Sequence, residues 1–265
     1  MSASPSAPKT GAVKTVVKAL ALIDLVSAAP DGLSLADLVS KSGVPKPTAH
    51  RILAVLVDEG YLRFIDDTRY GLGSELLVLG SAYLDSLDLR REAADILRQL
   101  VAATDEVSHL GVLDEHRVVY IDKVEAPHGL RMHSRVGGTQ PAHATGLGKA
   151  ILAHSATDAV NTVIEAGLYP QTDRTITDPD TFLQELRAVR RRGYAVDDVE
   201  NEEGIRCVAA PILDHRGTVL AGLSVAGPDY RLTTDDVTRV ASVLRQHALA
   251  LSRRFGYRGT LPRRH

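Results

Sequence analysis

Residues 35–62 read LADLVSKSGVPKPTAHRILAVLVDEGYL. Gly43 and the Val44-Pro45-Lys46-Pro47 run behind it divide this stretch into two helices. In the first, Ser34 stands just ahead of Leu35, Ala36 and Leu38, where an N-cap belongs. In the second, over about 45–58, Ile52, Leu53, Val55 and Leu56 form an apolar face, and Gly60 closes it. Pro45 and Pro47 fit only in its first turn. Upstream, Val13, Val16, Val17, Leu20 and Ile23 recur at helical spacing over 12–28, and Pro30-Asp31-Gly32 ends that helix. Downstream, Tyr61 to Ile65 and Arg69 to Leu72 flank Asp66-Asp67-Thr68 and predict a hairpin. Helix, helix, tight turn, helix, hairpin is the order of a winged helix-turn-helix.

Such a unit presents the start of its last helix to the major groove of double-stranded DNA. The chain as a whole argues weakly against nucleic acid. It has 265 residues, with 31 Lys plus Arg against 33 Asp plus Glu, a net charge of −2. Over 9–75 cations and acids also balance. Between Lys41 and Val57, however, there are three cations and no acid. Salt confines each charge to about 8–10 Å, so this local excess outweighs the sum. Lys46 and Thr48 are candidates for phosphate contact, and His50 and Arg51 for base edges or phosphates. Lys41, Arg63 and Arg69 flank the same face, the last two from the wing, and Ser34 joins the DNA-binding set.

Apolar residues make up 44 % of the chain, enough for a sizeable core, and the length suits two domains. A single cysteine, Cys207, excludes an intramolecular disulfide and Cys-rich zinc modules. No apolar run approaches a membrane span, and the first residues lack a signal core, so the expectation is a soluble cytoplasmic protein. The expected organisation is a disordered tail over 1–10, a DNA-binding domain over 11–73, a linker helix over 74–88, an α+β domain over 89–257 and a basic tail over 258–265. The linker helix carries more apolar residues than one stripe needs and is read as a dimer seam.

Beyond it, apolar patterning predicts a helix over 89–103 and strands over 107–113, 118–124 and 130–134. Helices follow over 146–153, 159–166 and 180–192, then strands over 194–199, 205–213 and 219–225. A closing helix spans 235–255, capped by Thr233 or Thr234. Gly146 and Gly148 at a helix start suit the approach of a carboxylate. Gly227-Pro228 suits a strand leaving a sheet near a pocket. The Gly146-Leu147-Gly148-Lys149 run is not a P-loop: His143 stands at the first position and Ala150 at the last. Cys207, in an apolar strand, reads as a small buried hydrophobe; a catalytic thiolate needs a cation or His beside it. His109, His133 and His143 have no metal-ligand spacing, and Glu200, Glu202 and Glu203 read as a solvated loop.

The run 35–62, followed by YGLGSELLVLG at 70–80, resembles the N-terminal domain of the IclR family of bacterial transcriptional regulators. PAHATGLGKA at 141–150, EEGIRCVAAP at 202–211 and LSVAGP at 223–228 extend the resemblance over about 12–255. It implies a GAF-like C-terminal domain, with an antiparallel sheet flanked by helices, that binds a small organic-acid-like effector. It also implies homodimers that pair into tetramers. The effector-facing positions it implies are Met132, Gly146, Leu147, Asp197, Ile205, Cys207 and Ser224. Ala226 stands where some relatives place a second serine, which removes a polar contact and points away from pyruvate or glyoxylate. No cofactor is expected; zinc, carried by some members, is the alternative. The expectation is therefore a ligand-controlled DNA-binding regulator and not an enzyme. The rival is a small-molecule enzyme or thiol sensor centred on Cys207.

Overall fold

The computed structural model describes residues 13–79, 88–127 and 134–259. Two units divide the chain, Met1–Ser86 and Leu87–His265. Met132, the tail over 1–10, most of the strand expected over 130–134, and the second half of the linker helix lie outside the described residues.

In the first unit the order is α1 (Lys14–Ser27), β1 (Leu33–Ser34), α2 (Leu35–Ser42), α3 (Lys46–Asp58), β2 (Leu62–Phe64) and β3 (Arg69–Leu72). Residues 75–79 are helical (α4). Ser34 caps α2 in a reciprocal box: its Oγ accepts from the Asp37 N–H, and its own N–H donates to Asp37 Oδ2, each at 3.2 Å. Gly43 ends α2 at φ 68°, a left-handed conformation that suits glycine, and its N–H donates to the Val39 carbonyl. Pro45 is the N-cap of α3, and Pro47 lies in the first turn, where no intrahelical N–H is missed. Leu38, Ile52, Leu53 and Leu56 pack on Leu22 and Val26 of α1 and on Leu62 and Tyr70 of the wing.

Two features differ from expectation. Leu33–Ser34 pairs with Tyr70 and Arg69, so the wing is a three-stranded sheet of order β1-β3-β2. A two-residue strand leaves no periodicity to read. In α1, moreover, Val13, Val16, Val17 and Leu20 are exposed, while Leu22 and Val26 are buried. The helix is apolar on two faces: Val16, Val17 and Leu20 of the more regular stripe face away from this unit's core, while Ile23 packs against it.

The second unit runs α5 (Leu89–Thr104), β4 (Val107–Asp114), β5 (Arg117–Val124), β6 (Thr139–Pro141), α6 (Gly146–Leu152), α7 (Thr157–Glu165), α8 (Pro179–Arg192), β7 (Ala195–Asp198), β8 (Ile205–Leu213), β9 (Val219–Pro228) and α9 (Val237–Arg254). The strands form one antiparallel sheet in the order β6-β5-β4-β9-β8-β7. Alternation along each strand sorts the side chains to two faces. Val208, Ala210 and Ile212 of β8, Leu223 and Val225 of β9, and Leu110 of β4 join α5 and α9 in one core. Ala209, Val118 and Tyr120 join α6, α7 and α8 in the other. Thr233 does not cap α9 directly: the helix begins four residues beyond it, and Thr233 Oγ1 donates to Asp236 Oδ2 at 2.7 Å. Gly227-Pro228 also departs from expectation. It belongs to β9 itself, and Gly227 faces Glu106.

Helix α6 lies unusually close to its neighbours. A first side-chain carbon on Gly148 would stand 2.0 Å from the Ala142 carbonyl oxygen, and one on Gly222 would stand 2.8 Å from Leu147 Cδ2. The obstacle at Gly148 is backbone and cannot rotate aside. Gly148→Ala is therefore expected to destabilise the second unit by about 3 kcal/mol or more, beyond ordinary overpacking. Calorimetry should find that unit's transition lowered and the first unit's unchanged; an unaltered transition would refute the close seating.

Candidate functional site

At the start of α3, Lys46 and His50 are exposed, Thr48 is half-buried, and Ala49 between them packs inward. Lys41 is exposed on the last turn of α2, one left-handed glycine away from this segment. Arg51 is exposed and its Nε donates to the Pro47 carbonyl at 3.4 Å, which folds it back along its own helix. In the wing, Arg63 Nε donates to the Leu72 carbonyl at 3.2 Å. Arg69 Nε pairs with Asp66 Oδ2 at 2.7 Å. The Thr68 N–H, Arg69 and the Thr68 hydroxyl hold the Asp66 carboxyl well below the usual range. An exposed pair of this kind is weak, so Arg69 can exchange Asp66 for a phosphate. Ser34 is committed to the α2 cap.

The second unit holds a cavity on the α6 face of the sheet. Two neighbouring rungs build its floor. Asp197, Cys207 and Ala226 align across β7, β8 and β9. Ala209, Ser224 and His109 align across β8, β9 and β4. Thr145 and Leu147 of the α6 region, Tyr120, Gln140, Ser134, Asn201, Glu202 and Ile205 complete the walls. Of the expected effector positions, Leu147, Asp197, Ile205, Cys207 and Ser224 therefore meet at one cavity. Gly146 sits directly over the Cys207 thiol, where a first side-chain carbon would stand 3.1 Å from Sγ, a tight contact. Its partner Gly148 offers no free amide: the N–H donates to Thr145 Oγ1 at 3.1 Å. The expected carboxylate seat at the two glycine amides is thus half occupied by the protein's own cap.

Sequence reasoning did not place His109, Tyr120, Ser134, Gln140 or Asn201 in this site. His109 carried a signal, being a lone polar ring inside the buried strand VSHLGV. Its Nε2 lies 2.8 Å from Ser134 Oγ, and its ring tilts against Tyr120 with centroids 5.0 Å apart. Burial, with Lys123 nearby, lowers its pKa to about 3, so it is neutral. Burial raises the Tyr120 hydroxyl far above its ordinary value.

Glu200 reverses an expectation. It is not a solvated loop residue but a buried partner of the fully buried Lys149, and burial raises its pKa while Lys149 pulls it back. The Glu200 and Asn201 N–H groups donate to Asp197 Oδ1 at 2.7 and 3.2 Å. Burial nevertheless lifts Asp197 to about 7, against the pull of Lys149. The Cys207 thiol is pushed up to about 12, first by burial and then by Asp197. With a neutral His109 and a raised thiol, the site assembles no thiolate and no nucleophile–base pair. Among the described residues no group of three or more His, Cys, Asp or Glu is set to hold a metal ion. His143 is spent on the Tyr169 carbonyl at 3.0 Å. Two buried polar atoms of the lining, Ser224 Oγ and Asn201 Oδ1, lack a hydrogen bond of sound geometry. Ser224 is close enough to Cys207 only to offset its raised pKa in part. The open space among these groups is about 30 Å³.

No helix among the described residues is long and apolar enough to cross a membrane. The IclR helix-turn-helix domain matches residues 15–66, and the bacterial transcriptional regulator IclR C-terminal domain matches residues 81–253. The transcriptional repressor IclR of Escherichia coli is 32 % identical over 255 residues, 95 % of this chain and 93 % of that protein. The glycerol operon regulatory protein of Streptomyces coelicolor is 36 % identical over 247 residues, 92 % of this chain and 97 % of that one. Among solved structures, the repressor BlcR of Agobacterium tumefaciens superposes with a TM-score of 0.80 at 28 % identity, covering 94 % of this chain and 100 % of its own. These relatives are regulators rather than enzymes. The chain belongs to the IclR family, and it is a DNA-binding transcriptional regulator.

Proposed function

We propose that operator affinity is set by a small organic effector held in the cavity beneath α6. The observation that carries this reading is the pair of buried polar atoms without a well-formed hydrogen bond, Ser224 Oγ and Asn201 Oδ1, on residues that line one cavity. Native interiors seldom leave such groups without a partner. The lining holds Asp197 and Glu202 and, among the described residues, neither Lys nor Arg. An organic acid therefore meets its best partner in a protonated Asp197, which can donate to a ligand carboxylate. With a pKa of about 7, Asp197 supplies that proton below neutrality and repels the ligand above it.

The DNA face is Lys41, Lys46, Thr48, His50 and Arg51, with Arg63 and Arg69 from the wing. A two-part operator requires two such heads. The exposed Val16, Val17 and Leu20 of α1, and Leu77 and Val78 of α4, 72 % and 58 % exposed, are the apolar surface available for a homodimer. Binding of the effector acts on DNA only to the extent that it favours one arrangement of that dimer over another.

Five outcomes are expected. Lys46→Ala should weaken binding to DNA from upstream of the protein's own gene and lower the slope of log affinity against log salt by about one. His50→Ala should instead cost about 1–3 kcal/mol on the specific site alone. Fluorescence anisotropy over a salt series separates them, and wild type without any sequence preference would overturn the DNA face. For the cavity, titration of organic acids should show affinity falling as pH rises through about 7, and Asp197→Asn should abolish that dependence. Because the folded-state pKa lies above the ordinary carboxylate value, stability also declines between about pH 4 and 7. Asp197→Asn keeps the acceptor for Glu200 and Asn201 and should raise the thermal midpoint at pH 8. A midpoint equal to wild type would contradict the buried carboxyl. Leu77→Glu should reduce dimer content in analytical ultracentrifugation if α4 forms the seam.

A further inference from the structure

A second cavity of the same unit lies at the other end of β8. Strand β7 pairs only with Arg206 to Ala209, so from Ala210 onward this side of β8 has no neighbouring strand. A cleft of about 290 Å³ opens there, against the end of α8 and the flank of α9. That volume lies at the lower limit of small-molecule sites and is many times that of the effector cavity. Its chemistry is the reverse of the effector cavity's. Arg190, Arg245 and His154 line it, and no Asp or Glu does among the described residues. Leu213, Leu249 and Tyr257 add an apolar wall.

The cations are placed by structure. Arg190 stands in the last turn of α8, where the helix dipole favours positive charge. It takes part in no ion pair among the described residues, whereas Arg192 nearby is locked to Glu185 at 2.6 Å. Arg245 is more than nine-tenths buried on α9. His154 Nδ1 is held at 3.2 Å from the Ala150 carbonyl, which orients the ring and leaves Nε2 for another partner. The floor is firm, since Ser252 Oγ donates to the Ala248 carbonyl and accepts from the Leu213 N–H.

We propose that this cleft is a second ligand site, taking a small anion with a short apolar part. A carboxylate or phosphate monoester would be held by Arg190 and Arg245, with its hydrocarbon against Leu213, Leu249 and Tyr257. Arginine forks match both headgroups, and the absence of a lining acid leaves nothing to repel them. The assignment does not depend on the effector cavity.

Calorimetric titration of the full chain with benzoate, phenyl phosphate and benzyl alcohol tests it. At least one of the two anions should bind at one site per chain, and the uncharged alcohol should not. The tighter anion identifies the headgroup. Arg190→Gln, an exposed position whose change should leave the unliganded melting point unaltered, should weaken that binding about tenfold or more. Asp197→Asn, in the other cavity, should leave it unchanged. The proposal fails if neither anion binds, or if Arg190→Gln has no effect. It also fails if Asp197→Asn abolishes binding, which would place the anion in the effector cavity and support that reading instead.

Discussion

The second unit depends on how closely α6 can approach the sheet. Gly148 rests against the Ala142 carbonyl, Gly146 against the Cys207 thiol, and Leu147 drops onto Gly222 of β9. The contacts at Gly148 and Gly222 leave no room for a side chain in the glycine's place, and the one at Gly146 is tight. The consequence is more than dense packing. Seating α6 this deeply carries Lys149 into the interior, and an ammonium there needs a carboxylate. Glu200 supplies it and is drawn inward with its loop. The same loop then aims the Glu200 and Asn201 N–H groups at Asp197 and turns the Asn201 and Glu202 side chains to the cavity. One steric allowance thus fixes an ion pair, a loop and the acid of the candidate site.

This arrangement decides between binding and chemistry. A cysteine, a histidine and an aspartate share one cavity, a set that on paper could form a catalytic group. Their environment removes that capacity. The cavity is buried deeply enough to make the histidine neutral and the thiol inert, while Lys149, the cation that acts on the thiol, is already paired with Glu200. What remains is a set of donors and acceptors with incomplete hydrogen bonding beside the Asp197 and Glu202 carboxyl groups, which suits recognition and not turnover.

Much of the first unit was legible in residues 34–72, because its signals are local. A cap residue, a glycine at positive φ and prolines in a first turn act within four residues of themselves. Most strands of the second unit were legible for a similar reason: the apolar runs in 205–213 and 219–225 are a property of each segment alone, whereas β6, Thr139–Pro141, has no such run and was missed. The site was less so. His109 and Ser224 become neighbours through the pairing of β4 with β9, and that register is written in neither strand. Glu200 looked solvated because its partner is 51 residues away. The α1 stripe misled for the opposite reason: periodicity marks an apolar face but does not say which surface covers it. The family resemblance did bring Leu147, Asp197, Cys207 and Ser224 together, since it carries the register that single-chain reading lacks.

The size of the cavity beneath α6 bears on how the proposed effector could act. About 30 Å³ holds a water molecule or so, not an organic acid of several heavy atoms. Any such ligand has to select a state in which Leu147 or the loop at Asn201 and Glu202 stands further off. Those walls do not yield independently. Leu147 is braced on Gly222 and Ile151 lies beside it, while the loop is tied through Glu200 to Lys149 on the same helix. Widening the cavity therefore means moving α6 and the loop as one piece, or breaking a buried ion pair, which costs several kcal/mol. The first route is the lower one. It converts occupancy by a small molecule into displacement of a whole helix, and a ligand that binds only the widened state has the differential affinity that regulation requires.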